Sequence, residues 1–170
     1  MASGDRLAER GPAEVGVRVE VDAPVDAVFG AATAWERQSD WIPLTRVRVV
    51  RGDGRSVGSV IDAFTGIGRI GFLDTMEIIR WDPPHRVDVV HRGRVVRGPG
   101  SFVFTELSDR RAVMAWQEWL HLPLGRLGRL AWPLVRAAAA AGLGRSLRSF
   151  ARAVERQNGQ ERSSGDERGR

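Results

Sequence analysis

Residues 14–32, EVGVRVEVDAPVDAVFGAA, decide the fold of this chain. Every second residue from Val15 to Val21 is valine, and the residues between are polar or glycine, a period of two that predicts a strand with one buried face. Pro24 then suits the first position of a helix whose apolar stripe includes Phe29. A strand followed directly by a short helix is therefore expected at the start of the folded region.

The sequence after this unit predicts a second helical piece and then an antiparallel meander. Residues 35–42, WERQSDWI, are compatible with a helix that Pro43 ends. Short β-type runs separated by turn residues follow, and they predict six strands near 45–51, 57–65, 70–81, 86–93, 95–106 and 111–121. Because proline cannot donate to a central ladder, the Gly98-Pro99-Gly100 sequence predicts a bulge or an interruption in the fifth of these strands.

The C-terminal part predicts a long helix over residues 126–156, where apolar residues recur every three or four positions. Pro133 inside this pattern predicts either a kink or a helix that starts near residue 133. Residues 1–13 and 157–170 lack a periodic apolar pattern and are expected to be disordered tails. The expected organisation is one domain over residues 14–156.

The composition excludes several classes of chemistry. None of the 170 residues is cysteine, which excludes a disulfide framework, a thiolate zinc site, an iron-sulfur cluster and a cysteine nucleophile. Lysine and tyrosine are also absent, so Schiff-base chemistry and a tyrosine acid are excluded. No cofactor and no metal are expected. Because the sequence has neither a run of about 18 apolar residues nor a secretory signal, a soluble cytoplasmic protein is expected.

The formal net charge of +5 comes from one segment near the C-terminus. Residues 126–156 contain seven arginines against Glu155 alone, and the rest of the chain is nearly balanced. Such a basic helix face is usually solvated, but it also allows the hypothesis that the helix binds an anionic membrane or nucleic acid.

Three short motifs resemble functional signatures, and their context favours turns. Residues 66–71, GIGRIG, match the letters of GxGxxG, but a strand pattern follows where a dinucleotide site needs a helix. The tripeptide at 51–53, RGD, lies between two predicted strands, where Asp-Gly is a common turn. Ser101 lacks the second glycine of a GxSxG nucleophile elbow.

The stretch MAWQEWLH, residues 114–121, contains the most informative carboxylate. If Met114, Trp116 and Glu118 face inward, Glu118 lies in apolar surroundings and could accept or donate a proton. If the opposite parity holds, Gln117 and Trp119 face inward instead. Periodicity alone leaves both possibilities open.

The same question of parity applies to other titratable residues. Asp74 and Glu77 belong to one predicted strand with opposite parities, and His91 shares parity with valines that could face the interior. The three histidines have no HExxH spacing, so the sequence predicts no metal site.

The order of these predicted elements resembles the SRPBCC superfamily, also called START-like or Bet-v-1-like, and in particular its polyketide cyclase/dehydrase branch. The resemblance extends over residues 14–156 and depends on the phrases VEVDAPVDAVF at 19–29, DWI at 40–42, WDPPHR at 81–86, AW at 115–116 and PLGRLG at 123–128. It implies an α+β helix-grip fold, in which a curved antiparallel sheet of about seven strands wraps around a long C-terminal helix and two short helices follow strand 1.

The resemblance also implies a mostly apolar cavity between the sheet and the C-terminal helix. The first hypothesis is that this cavity binds a lipid, polyketide or aromatic molecule, with no nucleic-acid partner and no stable membrane insertion. A monomer and a homodimer are both compatible with it. The expected ligand-binding residues are Trp41, Phe72, Met76, Phe104, Trp116, His121, Leu134 and Phe150.

The alternative is a cyclase or dehydratase, and the sequence does not decide whether the protein is an enzyme. In this hypothesis Glu118 or His91 abstracts a proton next to a carbonyl, and Arg97 steadies the resulting enolate.

Overall fold

The structure is a computed structural model that describes the backbone of residues 13–93, 96–121 and 125–167. It describes the burial of side chains for residues 13–93, 96–121 and 130–160. The described residues form seven antiparallel strands, two α-helices and one 3₁₀ helix. The strands are β1 Ala13–Val21, β2 Thr45–Arg51, β3 Val60–Ile67, β4 Ile70–Asp82, β5 Arg86–Arg92, β6 Arg97–Ser108 and β7 Arg111–Leu120. The helices are α1 Val25–Ala32, the 3₁₀ helix Trp35–Asp40 and α2 Gly125–Glu167.

The strands form one sheet in the order β1-β7-β6-β5-β4-β3-β2. Every neighbour along the sheet is also a neighbour along the chain except β1, which pairs with β7 from Ala13 opposite Leu120 to Val21 opposite Ala112. Helix α2 contacts β1 and α1, and this arrangement confirms the predicted helix-grip fold.

The core lies where α1 and the C-terminal half of α2 meet the sheet. Phe29 of α1 packs edge to face against Phe104, with the ring centroids 5.3 Å apart. Phe150 of α2 is 1% exposed and packs against Trp41, with 5.0 Å between the ring centroids. The first contact holds α1 against the sheet, and the second holds α2 against the residue that follows the 3₁₀ helix.

The GIGRIG sequence forms the β3–β4 hairpin, as its strand context predicts. Ile67 pairs with Ile70, and Gly68 has a φ of 62°, a left-handed conformation that favours glycine. A Cβ at Gly66 would lie 2.2 Å from the Ile70 carbonyl oxygen, and one at Gly71 would lie 2.3 Å from the Thr65 carbonyl oxygen. The outer glycines therefore allow the two strands to approach closely.

The predicted bulge or interruption at Gly98-Pro99-Gly100 is absent on the β5 side of the strand, but the ladder with β7 begins only at Gly100, and Gly98 has a φ of 127°. Strand β6 passes through this sequence, and its pairing with β5 continues without a shift from Arg97 opposite Arg92 to Val103 opposite Arg86. The register shift of β6 lies instead between Glu106 and Ser108, where the strand pairs with β7.

The ends of the chain differ in part from the predicted tails. The predicted N-terminal tail lies outside the described residues except for Ala13, which begins β1. Helix α2 begins at Gly125, so Pro133 lies inside it, and the helix continues to Glu167 rather than ending at residue 156. The extension over residues 157–167 has no apolar stripe and includes two glycines and two serines, so helix propensity does not account for it. Within the described ranges, no helix combines the length and the hydropathy needed to cross a bilayer.

Candidate functional site

A cavity of about 510 Å³ lies between the sheet, the 3₁₀ helix and α2. Its wall is mostly apolar, and it includes side chains from every strand. The residues that line it are Val15, Trp35, Gln38, Ile42, Pro43, Thr45, Val47, Ala63, Thr65, Phe72, Asp74, Met76, Val87, Val89, His91, Val96, Ser101, Phe102, Trp116, Glu118, Leu120, Ala139, Gly142, Leu143, Arg145 and Ser146.

Strand parity brings three titratable side chains to this wall. Glu118 faces the cavity together with Trp116, which is the first of the two parities left open by the sequence. On β4, Asp74 lines the cavity, whereas Glu77 has the opposite parity and forms an ion pair with Arg92. The wall therefore combines carboxylates from β4 and β7 with an imidazole from β5.

These three groups form one contiguous cluster, Asp74–His91–Glu118. The Nδ1 atom of His91 lies 2.7 Å from Asp74 Oδ2, and its Nε2 atom lies 2.8 Å from Glu118 Oε2. The indole Nε1–H of Trp116 donates to Glu118 Oε1 at 2.6 Å. All three members of the cluster are buried.

The surroundings of His91 favour its protonated form. Burial is the largest single influence on its pKa and lowers it, because an apolar environment disfavours the cation. The negative charge of Glu118 and the hydrogen bond to Asp74 act in the opposite direction, and the net effect raises the pKa of His91 from 6.5 to about 10. At neutral pH, His91 is therefore an imidazolium that donates its Nδ1–H to Asp74.

Several polar atoms of the cluster lack a hydrogen bond. His91 Nε2 and Glu118 Oε2 are at ion-pair distance, but they are not aligned as donor and acceptor. Asp74 Oδ1 is also buried without a partner. Buried polar groups in proteins are nearly always hydrogen-bonded, so a side-chain cluster with three atoms that lack a hydrogen bond indicates a place where a ligand or water completes the bonding.

Gly100 provides the space in which the pair of His91 and Glu118 lies. A Cβ at this position would be 2.6 Å from Glu118 Oε2 and 2.9 Å from His91 Nε2. Any larger residue would therefore displace one of the two side chains. The cluster therefore requires a glycine at position 100.

A second group of polar side chains borders the cavity wall. Asp88 is fully buried, accepts hydrogen bonds from Arg86 Nε at 2.8 and 3.0 Å, and accepts another from the Ser101 hydroxyl. The Ser101 hydroxyl thus donates to a carboxylate and has no histidine base, which agrees with the sequence-based rejection of a serine nucleophile. Among the residues that the structure describes, no group of three or more His, Cys, Asp or Glu side chains could hold a metal ion.

The structure brings five of the residues expected from the sequence to the cavity wall. These are His91, Glu118, Phe72, Met76 and Trp116. The cavity wall does not include Trp41, Phe104 or Phe150, which are buried in the core between the helices and the sheet. Their size and apolarity are compatible with either place, and sequence periodicity does not distinguish a core side chain from a cavity side chain.

The other three expected residues lie outside the cavity. Arg97 is exposed, because the alternation along β6 places it on the face of the sheet opposite to His91. Gly98, which pairs with His91, has the inward-facing position. His121 is exposed at the end of β7, where its backbone N–H donates to the Arg97 carbonyl at 2.8 Å. Leu134 is 80% exposed on a part of α2 that precedes the contact with the cavity.

Sequence reasoning did not select Asp74 and Gly100. A signal for Asp74 was present, because it shares strand parity with Phe72 and Met76, which were both expected to bind ligand. Gly100 carried no such signal, since its role depends on which side chains lie beside it in the sheet.

The basic part of α2 exposes arginines toward solvent. Arg145, Arg148 and Arg152 lie beside Ser39 and Asp40 in a surface groove. Arg145 also lines the cavity. The hypothesis that this surface binds an anionic membrane or nucleic acid stays a prediction.

Comparison with known proteins gives the family. Residues 12–155 match the family described as polyketide cyclase / dehydrase and lipid transport. The chain belongs to this family. The resemblance to the SRPBCC superfamily is thereby confirmed. A search of curated proteins finds no significant match.

Solved structures share the fold at low sequence identity. The chain is similar to the protein TTHA0849 from Thermus thermophilus, with 19% identity, a TM-score of 0.66 and coverage of 83% of this chain and 96% of the other. The Zhui aromatase/cyclase from Streptomyces sp. R1128 gives 18% identity, a TM-score of 0.66 and coverage of 85% and 94%. A START superfamily protein from Mycobacterium smegmatis gives 16% identity, a TM-score of 0.60 and coverage of 86% and 97%. These likenesses extend over nearly the whole of each relative.

Proposed function

We propose that this family member binds a hydrophobic small molecule in the cavity between the sheet and α2. The observation that carries the proposal is a cavity of about 510 Å³ with a mostly apolar wall and one buried polar cluster. Its volume lies within the usual range for small-molecule sites, and such sites commonly combine apolar walls with a few oriented polar groups. Phe72, Met76 and Trp116 would contact the apolar body of the ligand, and the Asp74–His91–Glu118 cluster would orient its polar end.

Native mass spectrometry of the freshly purified protein is expected to detect an additional mass that disappears on denaturation. Organic extraction then gives the chemical class of the released molecule. A Val89→Phe variant should lose this mass because it fills part of the cavity, whereas Val113→Phe, on β7 and outside the cavity lining, should retain it. The proposal fails if the wild type carries no additional mass and a panel of lipids and polyphenols also gives no thermal shift.

A second candidate function is proton transfer, as in a cyclase or dehydratase, and the cluster geometry favours it. Glu118 Oε2 is a carboxylate oxygen on an apolar wall, 2.8 Å from the imidazolium Nε2 of His91. Glu118 would take the proton from a carbon next to a carbonyl, and the electron pair of the broken C–H bond would move toward the carbonyl oxygen. The Nε2–H of His91 would stabilise the enolate. His91 thus takes the role first expected of Arg97, and Asp74 orients the imidazole.

Exchange of the acidic α-protons of tetralone, an aromatic ketone, tests this chemistry without knowledge of the natural substrate. In D₂O the wild type is expected to accelerate the exchange, and Glu118→Gln should reduce the acceleration by about 10²-fold or more, because a positioned general base contributes that order of rate. Glu106→Gln is the matched control, since Glu106 is exposed on β6. If Glu118→Gln exchanges tetralone as fast as the wild type, proton transfer by this residue is wrong, and the protein is better described as a binding protein.

A further inference from the structure

The Asp74–His91–Glu118 cluster contains two carboxylates and one imidazole. Asp74 and Glu118 contact His91 from opposite ring nitrogens, at 2.7 and 2.8 Å. The cluster therefore holds one more acidic group than basic group, on a wall that is otherwise mostly apolar. A buried charge without a partner is unfavourable, and a complementary charge from a ligand would stabilise it.

No other described cation compensates this additional acidic group. Among the described side chains, only His91 forms an ion pair with Asp74 or Glu118. Arg86 contacts Asp88 and Arg92 contacts Glu77. Arg145 lines the cavity but is exposed, and it has no ion pair with either carboxylate of the cluster.

The Oε2 atom of Glu118 lies where a ligand can reach it. The Glu118 side chain is 10% exposed, lines the cavity, and its Oε2 atom has no hydrogen bond. This atom lies next to the position of the missing Cβ of Gly100, and Phe102 of the same strand and parity also lines the cavity. The acceptor is therefore fixed in place, because Oε1 of the same carboxylate is held by Trp116.

Aromatic rings stand beside this acceptor. Trp116 and Phe102 pack edge to face with ring centroids 5.2 Å apart, and both line the cavity. The faces of aromatic rings attract cations, and tryptophan does so most strongly. A carboxylate beside aromatic rings in a mostly apolar cavity is a favourable environment for an ammonium group.

We propose that the ligand of this cavity carries a protonated amine, which donates a hydrogen bond to Glu118 Oε2 beside Trp116 while its apolar body fills the remaining volume. This inference rests on the proposed binding function and names the ligand class. A neutral hydroxyl would satisfy the acceptor but leave the additional acidic group without a basic partner, and a carboxylate would add another acidic group to the cluster.

Three compounds with the same apolar body test the proposal: naphthylethylamine, naphthylethanol and naphthylacetate. Isothermal titration at neutral pH should give the amine an affinity about tenfold or more above that of the alcohol, as expected for a charge-assisted hydrogen bond in a buried site. The alcohol should in turn bind more tightly than the acid.

Variants then assign the preference to Glu118. Glu118→Gln should lower the affinity for the amine to that for the alcohol. The affinity for the alcohol should change by less than about threefold, because the substitution removes a charge but keeps the cavity. Trp116→Phe removes the hydrogen bond to Oε1 but keeps the carboxylate, so the preference for the amine should persist. Exposed Glu106 provides the control Glu106→Gln, which should behave as the wild type. Circular dichroism of each variant checks that it is folded.

The possible results separate this inference from the proposed function. An alcohol or acid that binds as tightly as the amine overturns the amine proposal and leaves hydrophobic binding intact. A preference for the amine that survives Glu118→Gln also overturns it. If none of the three compounds binds, the amine proposal is wrong, and if the lipid and polyphenol panel fails as well, the binding function is wrong with it.

Discussion

Raising the pH from about 7 to about 10.5 is expected to lower the free energy of unfolding by roughly 3–5 kcal/mol through His91 alone. The folded protein raises the pKa of His91 from 6.5 to about 10, because the attraction of Glu118 and Asp74 outweighs burial. A folded-state pKa above the unfolded value contributes stability that is complete below about pH 6.5 and is lost as the pH rises through about 10. Urea unfolding at a series of pH values measures this loss.

The composition makes this pH range unusually simple to interpret. Cysteine, tyrosine and lysine titrate most often between about pH 8 and 11, and the chain contains none of them. His91→Gln should therefore give a stability that is nearly independent of pH between about 7.5 and 10. His85→Gln is the matched control, because His85 lies in the turn between β4 and β5, and it should keep the wild-type slope. A wild type whose stability does not fall in this range would contradict the ion pairs assigned to His91.

Phe150→Ala is expected to lower the free energy of unfolding by about 3–5 kcal/mol, as is typical when a buried phenylalanine is truncated. Phe150 is 1% exposed and packs against Trp41, so its loss leaves a hole between α2 and the rest of the core. Thermal and urea unfolding measure the effect.

Phe72→Ala provides the comparison, because Phe72 is only partly buried and faces the existing cavity. Phe72→Ala should lower the free energy of unfolding by less than Phe150→Ala does, and it should weaken the binding of any captured ligand. Equal destabilisation by the two substitutions would mean that the cavity is part of the packed core.

The sequence was sufficient for the order and type of the elements, because local patterns determine them. The alternation from Val15 to Val21 and the proline at 24 are each read within a few residues, and β1 and α1 form where they predict. Residues outside the predicted boundaries, such as the extension of α2 to Glu167, have no apolar periodicity that could be followed.

The candidate site depends on information that no local pattern contains. Asp74 and His91 meet because Met76 pairs with His91, and a register shift between Ile78 and Arg80 sets that pairing. Both parities of β7 present a tryptophan, so only the assembled sheet determines that Glu118 faces the cavity. The side chains of the cluster were visible individually in the sequence, but their association was not.

The pairing of β1 with β7 has a consequence for how the chain folds. Strands β2 to β6 each connect to the following strand through a short segment, so the hairpins from β2 to β7 can form early and locally. Val15, in contrast, pairs with Glu118 across about a hundred residues, and such a closure carries a larger entropic cost. We expect the wall around Glu118 to be completed late, when the N-terminal strand docks, so that the meander exists before the ligand-binding cavity does.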